Sequence, residues 1–292
     1  MSLLTIRHRT RYRYREPIRL GPHRLMLRPR ESREVRLVSS TLEIAPAATV
    51  TWTNDAFGNA VASVTFAGAA EELLIDSTSV VELGAAPWPI FDIAGSALRF
   101  PFRYSADESI DLGQLAIPQY FDPVGRTSEW AQGFVRGSDT ETDTDTLALL
   151  KDLVAGAGEQ IRYQIREEEG TQSPRQTLDR GLGSCRDFAV LFAEAARSLG
   201  FGARIISGYL YNPDTLPDQN GAGSTHAWAE IYLPGPGWIT FDPTNRSRGV
   251  GGFNLIPVAV GRNIAQVMPV TGTFFGMTEA YRGMSVEVQV TP

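Results

Sequence analysis

The sequence predicts an α+β fold in which an N-terminal, antiparallel, sandwich-like β domain precedes a core built from a buried helix and an antiparallel sheet. Two observations carry this prediction. Apolar and polar residues alternate with the period of a β-strand through much of the first hundred residues. Further along, apolar residues at helical spacing are followed by three strand-like runs. A chain of 292 residues suits about two domains, which we place at 1–125, a β-rich domain with its connector, and 126–292, the core.

The β character of the N-terminal domain begins with a strand from Ile6 to Tyr14, where side chains alternate between two faces. A turn around Gly58 and Asn59 then predicts a hairpin. Residues 85–125 are rich in proline and aromatic residues, which predicts an irregular connector with a few short helical turns. The further strand-like runs lie at residues 34–46, 48–68 and 72–83. The first strand carries arginine on one face, at Arg7, Arg9, Arg11, Arg13 and Arg15.

Charge is unevenly distributed along the chain. The net charge is −6, yet residues 7–36 hold eleven arginines and three glutamates, so this segment is basic and the remainder is acidic. No nucleic-acid-binding motif surrounds the arginines, so we expect a solvated face, or one that docks on the acidic second domain, and no nucleic-acid partner. The N-terminus lacks a signal-peptide core and no apolar run reaches membrane-spanning length, which predicts a cytoplasmic protein without a membrane partner.

The core is expected to follow an acidic, polar run at 137–146, which we interpret as a solvated linker that ends in a helix N-cap. A helix from about Leu147 to Gln160 comes next. Another helix begins near Cys185, because apolar residues recur at helical spacing from Phe188 to Leu199 and Gly200 suits the position after a helix end. Antiparallel strands are predicted at 203–211, 225–234 and 237–244.

The chain contains one cysteine, so Cys185 forms no internal disulfide, and its thiol is either inert packing or a reactive group. Ser184 and Asp187 have the spacing of a capping box, which places Cys185 at the first helical position. Backbone N–H groups and the positive end of the helix dipole favour the thiolate there, and the same N–H groups can stabilise an oxyanion. Taken alone, a cysteine among apolar residues is more often a small buried side chain.

A cysteine nucleophile requires a base, and histidine is the usual one because its pKa lies near neutral pH. Of three histidines, His226 lies in the same predicted domain as Cys185, at the start of a strand, and Asp242 ends the next strand, where it can orient the imidazole. Considered singly, His226 also fits a structural role and Asp242 a strand terminator. Together the three residues match the Cys–His–Asp arrangement of papain-like catalysis.

Three segments carry a family resemblance: GLGSCRDFAVLF, STHAWAEIYLPGPGWITFDPTN and, less specifically, ARIISGYLY. They resemble the catalytic core of the transglutaminase-like superfamily in its bacterial branch, and the arginine-rich N-terminal segment and the tail AVGRNIAQVMPVTGTFFG resemble regions found there too. The resemblance implies Cys185 as nucleophile, His226 as general base and acid, and Asp242 as the group that orients the imidazole, with no metal and no cofactor. It also implies a nucleophile helix packed on an antiparallel sheet.

Secondary candidates accompany these three residues. Animal members of the superfamily have a tryptophan before the cysteine that assists the oxyanion; this sequence has none at comparable spacing, and Tyr163 is the best substitute, although a tyrosine packed in the core fits at least equally well. Trp228 and Trp238 either line a substrate groove or pack in the sheet, and we prefer packing for at least one of them. The loop at 212–224 suits a lid over the site or a tolerated insertion.

We therefore expect a cysteine-dependent acyl-transfer enzyme that attacks peptide or glutaminyl amide bonds of a peptide or protein substrate through a thioester. Hydrolysis, as a protease or amidase, is preferred, because many bacterial relatives are regarded as peptidases and nothing here resembles the calcium sites of animal transglutaminases. The alternatives are a protein-crosslinking transglutaminase and a catalytically inactive binding module. The intact set of Cys185, His226 and Asp242 favours an enzyme, since a degenerate copy commonly loses at least one.

Overall fold

The computed structural model describes residues 2–84, 91–135, 144–165, 170–211, 223–245, 252 and 254–292 of the chain. An N-terminal sheet region and a core of helices and strands confirm the α+β class. Two predicted segments fall mainly outside the described residues: the acidic linker at 137–146, described from 144 onward, and the loop at 212–224, described from 223 onward.

The bounds of the elements, in chain order, are as follows. The strands are β1 (Ser2–Leu25), β2 (Val35–Ala45), β3 (Ala48–Asn54), β4 (Ala60–Phe66), β5 (Ala69–Leu83), β6 (Arg99–Phe100), β7 (Thr144–Asp145), β8 (Arg162–Tyr163), β9 (Leu182–Gly183), β10 (Ala203–Tyr211), β11 (Gly223–Leu233), β12 (Gly237–Phe241), β13 (Leu255–Gly261), β14 (Val270–Phe275) and β15 (Tyr281–Thr291). The α-helices are α1 (Ala106–Leu112), α2 (Arg126–Gln132), α3 (Thr146–Gln160), α4 (Pro174–Arg180) and α5 (Cys185–Ser198).

The N-terminal sheet is organised around β1, which is longer than the predicted strand and pairs with different neighbours along its length. Residues 2–14 of β1 lie between β5 and β15, and residues 19–25 pair with β14 and, at their end, with β4. The register with β5 shifts between Arg13 and Ile18. Strands β2 and β3 complete the sheet at its two sides, and the described pairings are all antiparallel, as the alternation predicts.

The arginine face of β1 is paired within this sheet. Arg7 and Arg9 both form ion pairs with Asp76 of β5, at 2.8 and 2.7 Å. Arg11 approaches Glu72 of the same strand at 3.7 Å. Carboxylates of a neighbouring strand thus offset part of the basic charge, which the sequence analysis had expected to face solvent or the second domain.

The core packs α5 on a four-stranded antiparallel sheet in the order β12–β11–β10–β13. Strands β10 and β11 cover one side of the helix, and α2, α3 and α4 contact its other sides. Consequently Phe188, Leu191 and Phe192 are at most 1% exposed. Gly200 follows the helix with a φ of 93°, a conformation that favours glycine. The helix therefore begins at Cys185 and ends before Gly200, as predicted.

The remaining helical predictions are confirmed as well. The helix expected at 147–160 is α3, and the side chain of Asp145 caps it by accepting the N–H of Ala148 at 2.8 Å. In the described part of the connector, α1 and short 3-10 turns interrupt irregular chain. Among the described residues, no helix has the length and apolar character that crossing a membrane would require.

A buried ion pair anchors α5 to its neighbours. Arg197 and Glu194 are 0% and 3% exposed at their side chains, and the guanidinium donates to the carboxylate at 2.5 Å. The other carboxylate oxygen of Glu194 accepts the backbone N–H groups of Gln119 and Tyr120. Arg197 also donates to three backbone carbonyls, those of Leu115, Ala203 and Arg262. The pair thereby ties the helix to the connector, to the start of β10 and to the residue that follows β13.

The last strands of the chain return to the first. β14 and β15 follow the core in sequence, yet both pair with β1. The core sheet also contacts the last strand. Gly223 of β11 lies so close to Val290 of β15 that a side chain at position 223 would overlap it. The N-terminal sheet therefore includes residues that the sequence analysis assigned to the core at 126–292. The division between residues 125 and 126 stays a prediction.

Candidate active site

Cys185 is held at the first turn of α5 by the segment before it. β8 and β9 pair in parallel, with Tyr163 opposite Gly183, so the chain enters the helix directly from a strand. The Asp187 carboxylate accepts the N–H and the hydroxyl of Ser184 at 2.8 and 2.9 Å. A Cβ at Gly183 would lie 2.9 Å from the Cβ of Asp187, so this position needs glycine. The predicted capping spacing thus fixes the position of the thiol.

His226 and Asp242 come from adjacent strands of the core sheet. His226 lies on β11, and Asp242 follows the end of β12, which pairs with β11. The imidazole donates from Nε2 to Oδ2 of Asp242 at 3.0 Å, and both side chains are buried. Thr244 holds the carboxylate from the other side, since its N–H and hydroxyl donate to Oδ1 at 3.0 and 2.7 Å. The Asp242 carboxylate is therefore held in place by Thr244 independently of its contact with the imidazole.

The remaining ring nitrogen of His226, Nδ1, is available to Cys185, whose sulfur lies within hydrogen-bonding reach of the imidazole. Burial disfavours a thiolate, but the hydrogen bond from His226, its positive charge and the backbone N–H of Ala227 outweigh burial and lower the pKa of Cys185. Burial likewise disfavours an imidazolium, but Asp242 and Cys185 raise the pKa of His226 to about 10. Because the two shifts are opposite, they favour the pair of thiolate and imidazolium over the pair of neutral groups.

The carboxylate of Asp242 remains charged in this buried position. Burial raises the pKa of an isolated carboxyl group, yet the hydrogen bonds from His226 and Thr244 lower the pKa of Asp242 below its ordinary value. An ionised carboxylate can only accept hydrogen bonds, so the proton between Asp242 and His226 is bonded to Nε2 of the imidazole. The ring orientation that directs Nδ1 toward the thiol follows from this hydrogen bond.

These residues open into a cavity of about 400 Å³ between the core and the N-terminal sheet. The core side contributes Cys185, Arg186 and His226, and the opposite side comes from β1 and β15. Tyr163 also lines the cavity, with its side chain 49% exposed. Its ring lies 6.2 Å from that of Phe188, so it packs at one edge and faces the cavity at the other. The structure thus brings Tyr163 to the same cavity as Cys185.

The two tryptophans do not line this cavity. Trp228 is 1% exposed, and its ring stacks on that of His226 with centroids 6.1 Å apart. Trp238 contacts the Arg204 guanidinium at 4.2 Å and the ring of Tyr232 at 5.4 Å, further along the sheet. Trp228 thus packs in the sheet, as preferred for at least one of the two, and a substrate-groove role for Trp238 stays a prediction, since strand alternation predicts a shared face but not the depth of burial along it.

Thr244 and the cavity wall formed by β1 and β15 were not among the predicted site features. Thr244 had a local signal, because an aspartate whose side chain accepts the N–H two residues later forms a common turn. The wall had no comparable signal, since it depends on strand pairing across the length of the chain. Within the described ranges, no three His, Cys, Asp or Glu residues cluster as a metal-binding group, and we assign no residue to a metal or cofactor.

Both parts of the chain match models of known protein families. A family model described as the bacterial transglutaminase-like N-terminal region matches residues 4–82, and one described as the transglutaminase-like superfamily matches residues 128–243. An uncharacterized protein of Mycobacterium tuberculosis (strain ATCC 25618 / H37Rv) is 28% identical over 98% of this chain and 92% of its own length. An uncharacterized protein of Mycobacterium leprae (strain TN) is 25% identical over 99% of both chains.

A solved structure extends the likeness to three dimensions. The protein described as "a Putative Cysteine Protease from Cytophaga hutchinsonii" aligns with a TM-score of 0.73 at 17% identity, covering 100% of this chain and 92% of that chain. At this identity the likeness concerns the fold alone. It confirms that a β-rich N-terminal region followed by this core is an arrangement that another protein shares.

Proposed function

This chain belongs to the transglutaminase-like superfamily, and on that premise we propose that it is a cysteine-dependent enzyme that hydrolyses amide bonds of a peptide or protein. The observation that carries the proposal is that Cys185 and His226 line one cavity, where His226 is hydrogen-bonded to Asp242 and lowers the pKa of the thiol. In the proposed roles, Cys185 is the nucleophile, His226 the general base and acid, and Asp242 the group that orients the imidazole.

The proposed reaction begins from the thiolate and imidazolium. The sulfur attacks the amide carbonyl carbon, a C–S bond forms, and the carbonyl electrons move to oxygen. As the tetrahedral intermediate collapses, the C–N bond breaks and the proton on Nδ1 of His226 passes to the leaving amine, which leaves a thioester on Cys185. Neutral His226 then takes a proton from water as its oxygen attacks the thioester. Collapse breaks the C–S bond, releases the carboxylic acid and restores the ion pair.

The oxyanion of each tetrahedral intermediate requires hydrogen-bond donors. Backbone N–H groups at the start of α5 supply one set, at the positive end of the helix dipole. The Tyr163 hydroxyl is our proposed side-chain donor, because Tyr163 lines the same cavity and its strand pairs directly with the segment before Cys185. This role replaces the tryptophan of the animal members.

Hydrolysis is proposed over crosslinking because many bacterial members of the superfamily are regarded as peptidases and nothing in the sequence resembles the calcium sites of animal transglutaminases. Protein crosslinking remains the second candidate, and a binding module without activity is the third.

We also propose the cytoplasm as the location, since a free catalytic thiol suits a reducing compartment.

Partition of the acyl group tests this proposal. Wild type and Cys185→Ser are incubated with a mixture of fluorogenic peptide amides, with hydroxylamine or a lysine peptide added as competing acceptor, and the products are identified by mass spectrometry. We expect free acid from wild type, hydroxamate when hydroxylamine is present, little lysine adduct, and almost no product from Cys185→Ser. Predominant lysine adduct would favour the crosslinking alternative. Turnover by Cys185→Ser at the wild-type rate would refute the cysteine mechanism.

A further inference from the structure

The cavity wall that faces the candidate nucleophile comes from the N-terminal sheet, on the face opposite to its arginines. Cross-strand neighbours on β1 and β15 build it, with Thr10 opposite Val286 and Tyr12 opposite Met284. Met284 is 50% exposed and Val286 is 44% exposed, so two large apolar side chains are open to the cavity. Ile165, 76% exposed, continues this apolar surface on the core side. We call Thr10, Tyr12, Met284 and Val286 the sheet wall.

The polar groups beside the sheet wall are already paired with one another. The two ring nitrogens of His8 lie 3.1 Å from the Tyr209 hydroxyl and 3.0 Å from that of Thr10. Burial lowers the pKa of His8 to about 4, so this ring is uncharged at neutral pH. The Ser207 hydroxyl donates to the carbonyl of Val267 at 2.5 Å. A side chain that enters beside His8 and Ser207 therefore meets apolar surface and polar groups that are already hydrogen-bonded, while the other polar lining residues, such as Ser224 and Thr225, lie on the core side.

We propose that the sheet wall is the specificity pocket of the enzyme and that it takes a large apolar side chain next to the attacked carbonyl; this inference rests on the cysteine chemistry proposed above. In the proposed binding mode, a peptide whose carbonyl reaches Cys185 passes the sheet wall, because Cys185 and the sheet wall line one cavity. Its neighbouring side chain then lies against Met284 and Val286. The substrate class is thus a peptide with phenylalanine, leucine or a similar residue at this position.

The physical basis of the selectivity is the exchange of water for apolar contact. A phenylalanine or leucine side chain gains buried apolar area against Met284 and Val286. A glutamine or glutamate side chain at the same place gives up hydrogen bonds to water and finds few replacements, which corresponds to roughly tenfold or more in binding. Arg186 also lines the cavity and favours acidic side chains instead. A comparison of glutamate with glutamine at this position therefore separates attraction by Arg186 from the apolar preference of the sheet wall.

Peptidyl chloromethyl ketones test the pocket directly. Reagents that differ only in the side chain beside the ketone, namely phenylalanine, leucine, glutamine or glutamate, are compared by the rate at which they label Cys185, followed by intact-protein mass. In this reaction the thiolate displaces chloride from the methylene carbon. The variants are Met284→Gln, Val286→Thr, which nearly keeps its shape, and the control Met277→Gln, because Met277 is 75% exposed and does not line the cavity.

We expect the phenylalanine and leucine reagents to label wild type about tenfold or more faster than the glutamine reagent, and each pocket variant to reduce this ratio about threefold or more. Met277→Gln should leave the ratio unchanged. Equal rates for all four reagents, a preference for glutamate, or an equal effect of Met277→Gln would overturn the inference. Iodoacetamide labelling of each variant separates this outcome from failure of the proposed function: a native Cys185 that is also inert to iodoacetamide contradicts the cysteine chemistry itself.

Discussion

Loss of the imidazole should change how the reactivity of Cys185 depends on pH. In His226→Gln the thiol keeps its place at the first turn of α5, but the cation beside it is gone. The hydrogen bond and charge of His226 are what lower the pKa of this thiol against the effect of burial. Without them, burial raises the pKa of Cys185, opposed by the backbone N–H of Ala227, the charge of Arg186 and the helix terminus.

The magnitude follows from the fraction of thiolate at two pH values. A thiol with a pKa of about 8.5 or above is ionised roughly 80- to 100-fold more at pH 8 than at pH 6. In wild type the pKa of the thiol is lowered and that of His226 is raised to about 10, so the thiolate fraction should change less over this interval. The alkylation rate of His226→Gln should therefore rise about 80-fold from pH 6 to pH 8, and that of wild type by a clearly smaller factor. Because each factor compares the same protein at two pH values, it does not depend on the intrinsic nucleophilicity of the thiolate.

The assay is iodoacetamide labelling of native protein, followed by intact mass, with N-acetylcysteine as the reference thiol and Cys185→Ser as the blank. Because the chain has one cysteine, each added carbamidomethyl group reports Cys185. Met277→Gln controls for a glutamine introduced elsewhere. A wild-type rate that rises with pH as steeply as the reference thiol, or labelling only after denaturation, would refute the ion pair and return Cys185 to inert packing.

Turnover of a peptide amide should rise with pH as the thiol, whose pKa is lowered, ionises. It should fall near pH 10, where the imidazolium that protonates the leaving amine loses its proton. Initial rates measured across this pH range check the profile, and an activity that does not fall at alkaline pH would contradict it. Asp242→Asn should keep part of the activity, because an amide oxygen still accepts from Nε2–H, and complete loss in a folded variant would disagree. Tyr163→Phe should lower kcat about a hundredfold with KM nearly unchanged if its hydroxyl serves the oxyanion; unchanged kcat would return it to packing. Arg197→Met should lower the free energy of unfolding by about 3–5 kcal/mol, because it leaves a buried carboxylate unpaired, whereas the exposed Arg175→Met should cost at most about 1 kcal/mol; urea titration compares them.

Features that depend on neighbours a few residues apart could be predicted from the sequence. The position of Cys185 follows from the cap spacing of Ser184 and Asp187 and from helical periodicity, all within one or two turns. The placement of His226 beside Asp242 follows from a short turn between β11 and β12, which forces the two strands to be neighbours. Local signals of this kind determine both the elements and much of the candidate site.

Features that depend on distant pairing could not be predicted in this way. β14 and β15 were not among the predicted strands, and alternation within a strand does not specify a partner such as β1 at the opposite end of the chain. The same limit applies to Trp228: its shared face with His226 is predictable, whereas its burial against Ile206, Val260 and Phe57 is not. The sheet wall of the cavity, which needs Met284 beside Tyr12, therefore lies beyond sequence pattern alone.

The reacting groups and the sheet wall are held in one packed body. Ile6 of β1 and Val288 and Val290 of β15 belong to the same hydrophobic cluster as Phe188 and the other buried residues of α5. Interiors packed in this way resist deformation, so the spacing between wall and nucleophile is fixed in advance of binding, as orientation-dependent catalysis requires. The segment 128–243 contains Cys185 and its partners but not the surface that faces them. The cleft therefore depends on the pairing of β1 with β15, and selectivity and chemistry are built from opposite ends of the chain.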